Sequence, residues 1–140
     1  MTREKIAPIK VAPRREGYTL LLKHKPISVD PSTEEVIYQH VFEVTYNFNP
    51  ETGKFIECFC AMTKGVGSDF TAMTTDACIA ISRLLQRDDT FEAMAESFGE
   101  DRDEGKSQGP AASILGTIAR AGRALERERL QVGCASEPGA

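Results

Sequence analysis

The sequence predicts an α+β domain, a three-stranded antiparallel meander covered by about three helices. Three observations predict it. In residues 36–48, Val36, Tyr38, His40, Phe42, Val44, Tyr46 and Phe48 alternate strictly with Ile37, Gln39, Val41, Glu43, Thr45 and Asn47. That is the two-residue period of a strand with two unlike faces. The segment NPETGK (Asn49–Lys54) then separates this run from a second one, FIECFCAM. Proline presets a turn dihedral there and glycine accepts a positive φ. From Ser68 onward the apolar spacing changes to three and four, the period of a helix with one buried stripe.

The elements follow in chain order. Residues 1–15 hold Arg3, Lys5, Lys10, Arg14 and Arg15 against Glu4 alone, and are expected to form a flexible basic arm. YTLLLKH (Tyr18–His24) reads as a short first strand, and PISVDPSTEE after it, with two prolines among turn formers, as a loop. The alternating run is the second strand. Phe55–Met62 pairs antiparallel with it across the turn. A sheet this small must bury one face against other elements.

The first helix starts at Ser68 or Asp69, either of which can accept backbone N–H bonds as a cap. Phe70, Met73, Ala77, Ile81 and Leu84 form its stripe, and it ends near Arg87. A shorter helix starts at DDTFEAM, where Asp89 and Glu92 have capping-box spacing. Phe91, Met94, Ala95 and Phe98 make its apolar side and Gly99 its stop. EDRDEGKSQG (Glu100–Gly109) is a polar loop, and Pro110 suits the first turn of the third helix. Ile114, Ile118, Ala121 and Leu125 give that helix its buried stripe. Gly116 and Gly122 interrupt it at a cost of about 1 kcal/mol each against Ala, so each is expected where another backbone or a ligand comes close. The domain body thus spans 16–125, and 126–140 is expected to be a flexible tail.

A chain of 140 residues fits one domain and can bury a core without staples. Its net charge is −4. The arm carries +4, so the acidic balance lies in the body, which argues against general nucleic-acid binding. No apolar run approaches the roughly 20 residues that span a bilayer. MTREKIAPIK lacks the apolar stretch of a secretory signal, and the cytoplasm is the expected compartment. Cys58, Cys60, Cys78 and Cys134 do not make a secreted disulfide framework. Cys58 and Cys60 share one strand face, and packing is their expected role.

Motifs exclude several chemistries. There is no GxxxxGK[ST], no GxGxxG, no HExxH, no calcium loop and no Gly-x-Ser-x-Gly elbow. The two histidines, His24 and His40, fall in strands and read as structural residues. The acidic run around Arg102 reads as a solvated surface. KGVGSDF (Lys64–Phe70) admits two readings: a strand-to-helix turn, or an anion site in which helix N–H groups and Lys64 hold a phosphate.

The stretch ECFCAMTKGVGSDFTAMTTDACIAISRLLQ (Glu57–Gln86) resembles the TSCPD domain, found at the C-terminal end of adenosylcobalamin-dependent (class II) ribonucleotide reductases and as small stand-alone proteins. Glu57, Phe59, Lys64, Gly67, Ser68, Ala77, Ile81 and Ser82 carry the likeness. The family's Thr-Ser-Cys-Pro-Asp-Ala-Ile-Ala-Arg is similar to ASILGTIAR (Ala112–Arg120), matching at Ser113, Ile118, Ala119 and Arg120. Its Thr, Cys, Pro and Asp are here Ala112, Ile114, Leu115 and Gly116, so thiol chemistry at that Cys is absent.

The resemblance implies a ribonucleotide-reductase connection, with nucleotide and adenosylcobalamin (vitamin B12) as family ligands and DNA synthesis as the setting. This chain lacks the catalytic barrel and cysteine set of a ribonucleoside-diphosphate reductase and needs no cofactor of its own. It is expected to be a stand-alone accessory or ligand-binding module, not catalytic alone. The alternatives are a component of a B12-dependent reductase, docked on a large reductase subunit, or a protein that sequesters a phosphorylated small molecule. The expected ligand residues are Lys64, Gly65, Gly67 and Ser68, with Arg120 contributing. Exposed sheet edges lead to an expected homo-oligomer.

Overall fold

Side-chain parity along the strands sets the architecture. The computed structural model describes residues 16–61, 68–100 and 109–136. Its elements are β1 (Glu16–Val29), β2 (Val36–Phe48), β3 (Phe55–Ala61), α1 (Ser68–Leu85), α2 (Phe91–Ser97) and α3 (Ile114–Ser136). The strands form one antiparallel sheet in the order β1-β2-β3, the predicted meander. Leu22, Phe42, Val44, Tyr46, Phe48 and Cys58 are buried beneath the helices. Leu21, Val41 and Phe59, one residue out of step, are exposed on the opposite face.

β1 is longer than its sequence suggests. It continues through Pro26 to Val29, with a register shift between Pro26 and Ser28. Proline fits because β1 is an edge strand, where a missing N–H costs no ladder bond. The turn therefore contracts to residues 30–35, held by Asp30 Oδ1, which accepts from both the N–H and the hydroxyl of Ser32. At the second hairpin Gly53 takes φ of 73° and its N–H bonds to the Asn49 carbonyl, as the turn chemistry requires.

β3 is the other edge, and α1 satisfies part of it. Ser82 Oγ accepts from the Cys58 N–H and donates to the Cys58 carbonyl, both at 3.0 Å, and Gln86 Nε2 donates to the Ile56 carbonyl at 3.3 Å. The buried stripe of α1 is rotated from the expected one. Thr74, Ala77, Cys78, Ile81 and Leu85 are buried, while Met73 and Leu84 are exposed. Thr74 can be buried because its hydroxyl donates to the Phe70 carbonyl at 2.8 Å, one turn back.

Tyr46 is the centre of the core. It is fully buried, meets Phe55 and Phe91 edge-on, and donates its hydroxyl to the Ile118 carbonyl of α3 at 2.8 Å. Burial pushes this phenol far above its usual range, so it remains a donor. α2 is capped by Thr90, one residue after the expected Asp89, with Thr90 Oγ1 accepting from the Ala93 N–H.

α3 starts at Ile114 rather than at Pro110. The chain before it pairs Ala111 with Glu100, and the Ala112 N–H bonds to the Gly99 carbonyl. It then runs to Ser136, beyond the Leu125 boundary that the sequence suggests. Residues past that boundary are anchored: Arg127 pairs with Glu92, and Arg129 lies 3.5 Å over the Phe48 ring. The basic arm, 1–15, lies outside the described residues.

Candidate functional site

Register brings together two residues that the sequence keeps sixteen apart. His24 and His40 are direct partners across β1 and β2. Their rings stack with centroids 6.5 Å apart and planes 13° from parallel. On one side His40 stacks on Phe70 of α1 at 3.9 Å, and Phe70 meets Phe42 edge-on. On the other side His24 Nδ1 shares a 2.7 Å hydrogen bond with Thr117 Oγ1 of α3. His24 is buried. A column of aromatic rings therefore links α1 to α3 across the sheet.

Beside the column opens a groove of about 640 Å³, within the range typical of small-molecule sites. The sheet contributes His24, Lys25, Gln39 and His40 to it, and α1 contributes Met73, Asp76, Ala77 and Ala80. The third wall is the entry to α3, Ala112–Leu115. Ser113 caps this helix, its Oγ accepting from the Gly116 N–H at 3.1 Å. A helix start leaves further N–H groups without intrahelical partners and carries partial positive charge. Lys25 adds a full positive charge and Asp76 a negative one.

Lys25 has φ of 60°. A side chain in this left-handed region costs about 1–2 kcal/mol, and such strain concentrates where geometry serves a site. It lies just before the register shift at Pro26–Ser28, where an irregular strand re-aims its side chains.

The residues expected from sequence are placed differently. Lys64, Gly65 and Gly67 lie outside the described residues; Ser68 is the first residue of α1. Arg120 does not line the groove. It donates to the Gly109 carbonyl at 2.6 Å and to Glu100 Oε2 at 3.2 Å, fastening the segment before α3 to that helix. His24, His40, Lys25 and Asp76 were not legible as a group. The signal that finds them is the hairpin register: partners on β1 and β2 whose numbers sum to a constant place His24 opposite His40.

Among the described residues, no three His, Cys, Asp or Glu side chains converge on a metal position, and no helix is long and apolar enough to cross a membrane. Adenosylcobalamin, with its corrin macrocycle, nucleotide loop and adenosyl group, is far larger than the drug-sized molecules that such a groove encloses. The groove does not fit it. Comparison with protein-family models, curated proteins and solved structures returns no match for this chain.

Proposed function

We propose that the chain is a binding module whose groove holds an anionic, nucleotide-like small molecule. This is the accessory role that resemblance to the TSCPD domain of class II ribonucleotide reductases implies. One observation carries the reading. Ala112–Leu115, the start of the stretch that resembles the family's name-giving motif, lines the same groove as His24, His40 and Lys25. The helix start, the lysine and the His40 imidazole supply donors suited to phosphate oxygens. The Ser113 hydroxyl is engaged as a helix cap, which suits binding better than nucleophilic chemistry. The thiols of Cys58, Cys60 and Cys78 accord with a reducing compartment, the cytoplasm.

The test is a thermal-shift and calorimetric screen of the purified chain against nucleoside mono-, di- and triphosphates and inorganic phosphate. A ligand at a hundred times its Kd stabilises by about 2.7 kcal/mol, a readily measured rise in Tm. No stabilisation by any of them overturns the reading. A smaller shift in Lys25→Ala and in His40→Ala places the ligand in the groove.

A second reading, as a docked component of a B12-dependent ribonucleoside-diphosphate reductase, is supported by the sheet's uncovered face. Leu21, Val41 and Phe59 are 57%, 43% and 48% exposed there, and would be available to a partner surface. The same face suits a homo-oligomer. A pull-down that recovers a large reductase subunit supports docking, and sedimentation of the purified chain reads self-association.

A further inference from the structure

β3 and α1 run antiparallel to each other with matched spacing. Two residues along a strand span about 6.7 Å and one helical turn about 5.4 Å, so successive inward positions of β3 meet successive turns of α1. The contacts follow that rule. Ser82 is bonded to the Cys58 backbone, Cys78 one turn earlier faces the Cys58 side chain, and Thr74 another turn earlier faces Cys60. The Cys58 Sγ also lies 3.9 Å from the Cys78 carbonyl oxygen. Cys78 is thus positioned over Cys58 by neighbours on both sides, and both residues are buried. Cys60, on the same strand face, is only half-buried and borders the pair.

We propose that Cys58 and Cys78 are a redox pair that hydrogen peroxide converts to a disulfide joining β3 to α1. The polarity of the pair supports the direction of the chemistry. The side-chain contact with Cys58 holds the Cys78 thiol below its ordinary range, while that same contact and burial push Cys58 up. Cys78 is therefore the first to become thiolate, the nucleophilic form. Its sulfur attacks one peroxide oxygen, the O–O bond breaks, and the departing hydroxide takes up the proton that Cys78 released, leaving water and a sulfenic acid on Cys78. The Cys58 sulfur then attacks the Cys78 sulfur. The S–O bond breaks, hydroxide leaves with the Cys58 proton as a second water, and the S–S bond forms. Two thiols are oxidised by two electrons in all, and one peroxide is reduced to two waters.

The disulfide would fix α1 at the residue next to Ala77, which lines the groove, although the proposal does not depend on what the groove binds. Its test is peptide mapping. The folded chain is treated with hydrogen peroxide at neutral pH, quenched, and alkylated in denaturant. The expected product is a Cys58–Cys78 linked peptide pair, two hydrogens lighter than the reduced peptides and restored to thiols by dithiothreitol. Cys60→Ser should retain this link, and Cys78→Ser should abolish it. Recovery of Cys58 and Cys78 as alkylated thiols, or pairing of either with Cys60 or Cys134, overturns the proposal. The wild-type map decides the matter even if a variant fails to fold.

Discussion

A single missing Cβ sets how closely α2 approaches α3. A Cβ built at Gly122 would lie 2.4 Å from Cγ of Phe91 and 2.5 Å from its Cδ1. Phe91 cannot retreat, being fully buried and packed edge-on against Tyr46 and Phe55. Gly122→Ala should therefore destabilise the fold by up to about 2 kcal/mol, overpacking of about 1–3 kcal/mol being offset by the roughly 1 kcal/mol helix-propensity gain. The denaturation midpoint in urea checks this. The sequence shows that a helical glycine is out of place but not what presses on it, since Phe91 is distant in the chain. Lys25 poses the opposite case. Lys25→Gly relieves the left-handed strain and should raise stability by about 1 kcal/mol. It should also weaken phosphate binding in the groove. Equal or lower stability in the variant would mean that the lysine stabilises the fold as well as facing the ligand.

α2 has only seven residues, too few to stand alone in water. Capping and packing must hold it, and half of its cap comes from another helix. Glu126 of α3 accepts from the Phe91 N–H at 3.0 Å and the Glu92 N–H at 2.9 Å. No local pattern reveals this, because the carboxylate lies 35 residues from the N–H it serves. The Asp89–Glu92 spacing does locate the helix to within a residue, but Thr90 is the cap and Glu92 turns outward to Arg127. Glu126→Ala should cost about 1 kcal/mol, a typical cap loss. The pH dependence has a definite sign. Burial pushes the Glu126 carboxyl above its ordinary 4.5, against the lowering effect of the two N–H bonds. Its contribution is thus fully present below pH 4.5 and is lost as pH rises through the folded-state value. Glu126→Gln mimics the neutral form and does not titrate. Its cost should therefore be larger at pH 4 than at pH 7.5, measured by denaturant unfolding at both. Glu92, held low by its bond to Arg127, runs the other way: its contribution is present above pH 4.5 and lost below. That pair is exposed and solvent-screened, so its share is small.

The meander and its helical cover were legible because alternation over 36–48 and the three-to-four spacing after Ser68 are long-range consequences of one buried face. Which α1 residues point inward was less so. Thr74 is buried through a hydroxyl that bonds its own helix, whereas Met73 is 60% exposed, and hydropathy alone ranks these the wrong way round. The groove was illegible for a related reason: it is assembled from β1, β2, α1 and α3, and only the fold brings them together. That assembly also sets the groove's electrostatics. The chain carries net −4, so an anionic ligand meets a repulsive background and depends on local charge. Lys25 and the start of α3 favour it; Asp76 on the facing helix opposes it. Asp76→Asn should therefore tighten nucleotide binding about fivefold, the effect of one charge at groove distance in a partly aqueous setting. Lys25→Ala should weaken it by a similar factor. Both effects should shrink as ionic strength rises and the Debye length falls toward about 3 Å at 1 M salt. Titration calorimetry of both variants at low and high salt makes the comparison. If Asp76→Asn leaves affinity unchanged at low salt while Lys25→Ala abolishes binding, the anion sits on the sheet side of the groove, beyond reach of α1.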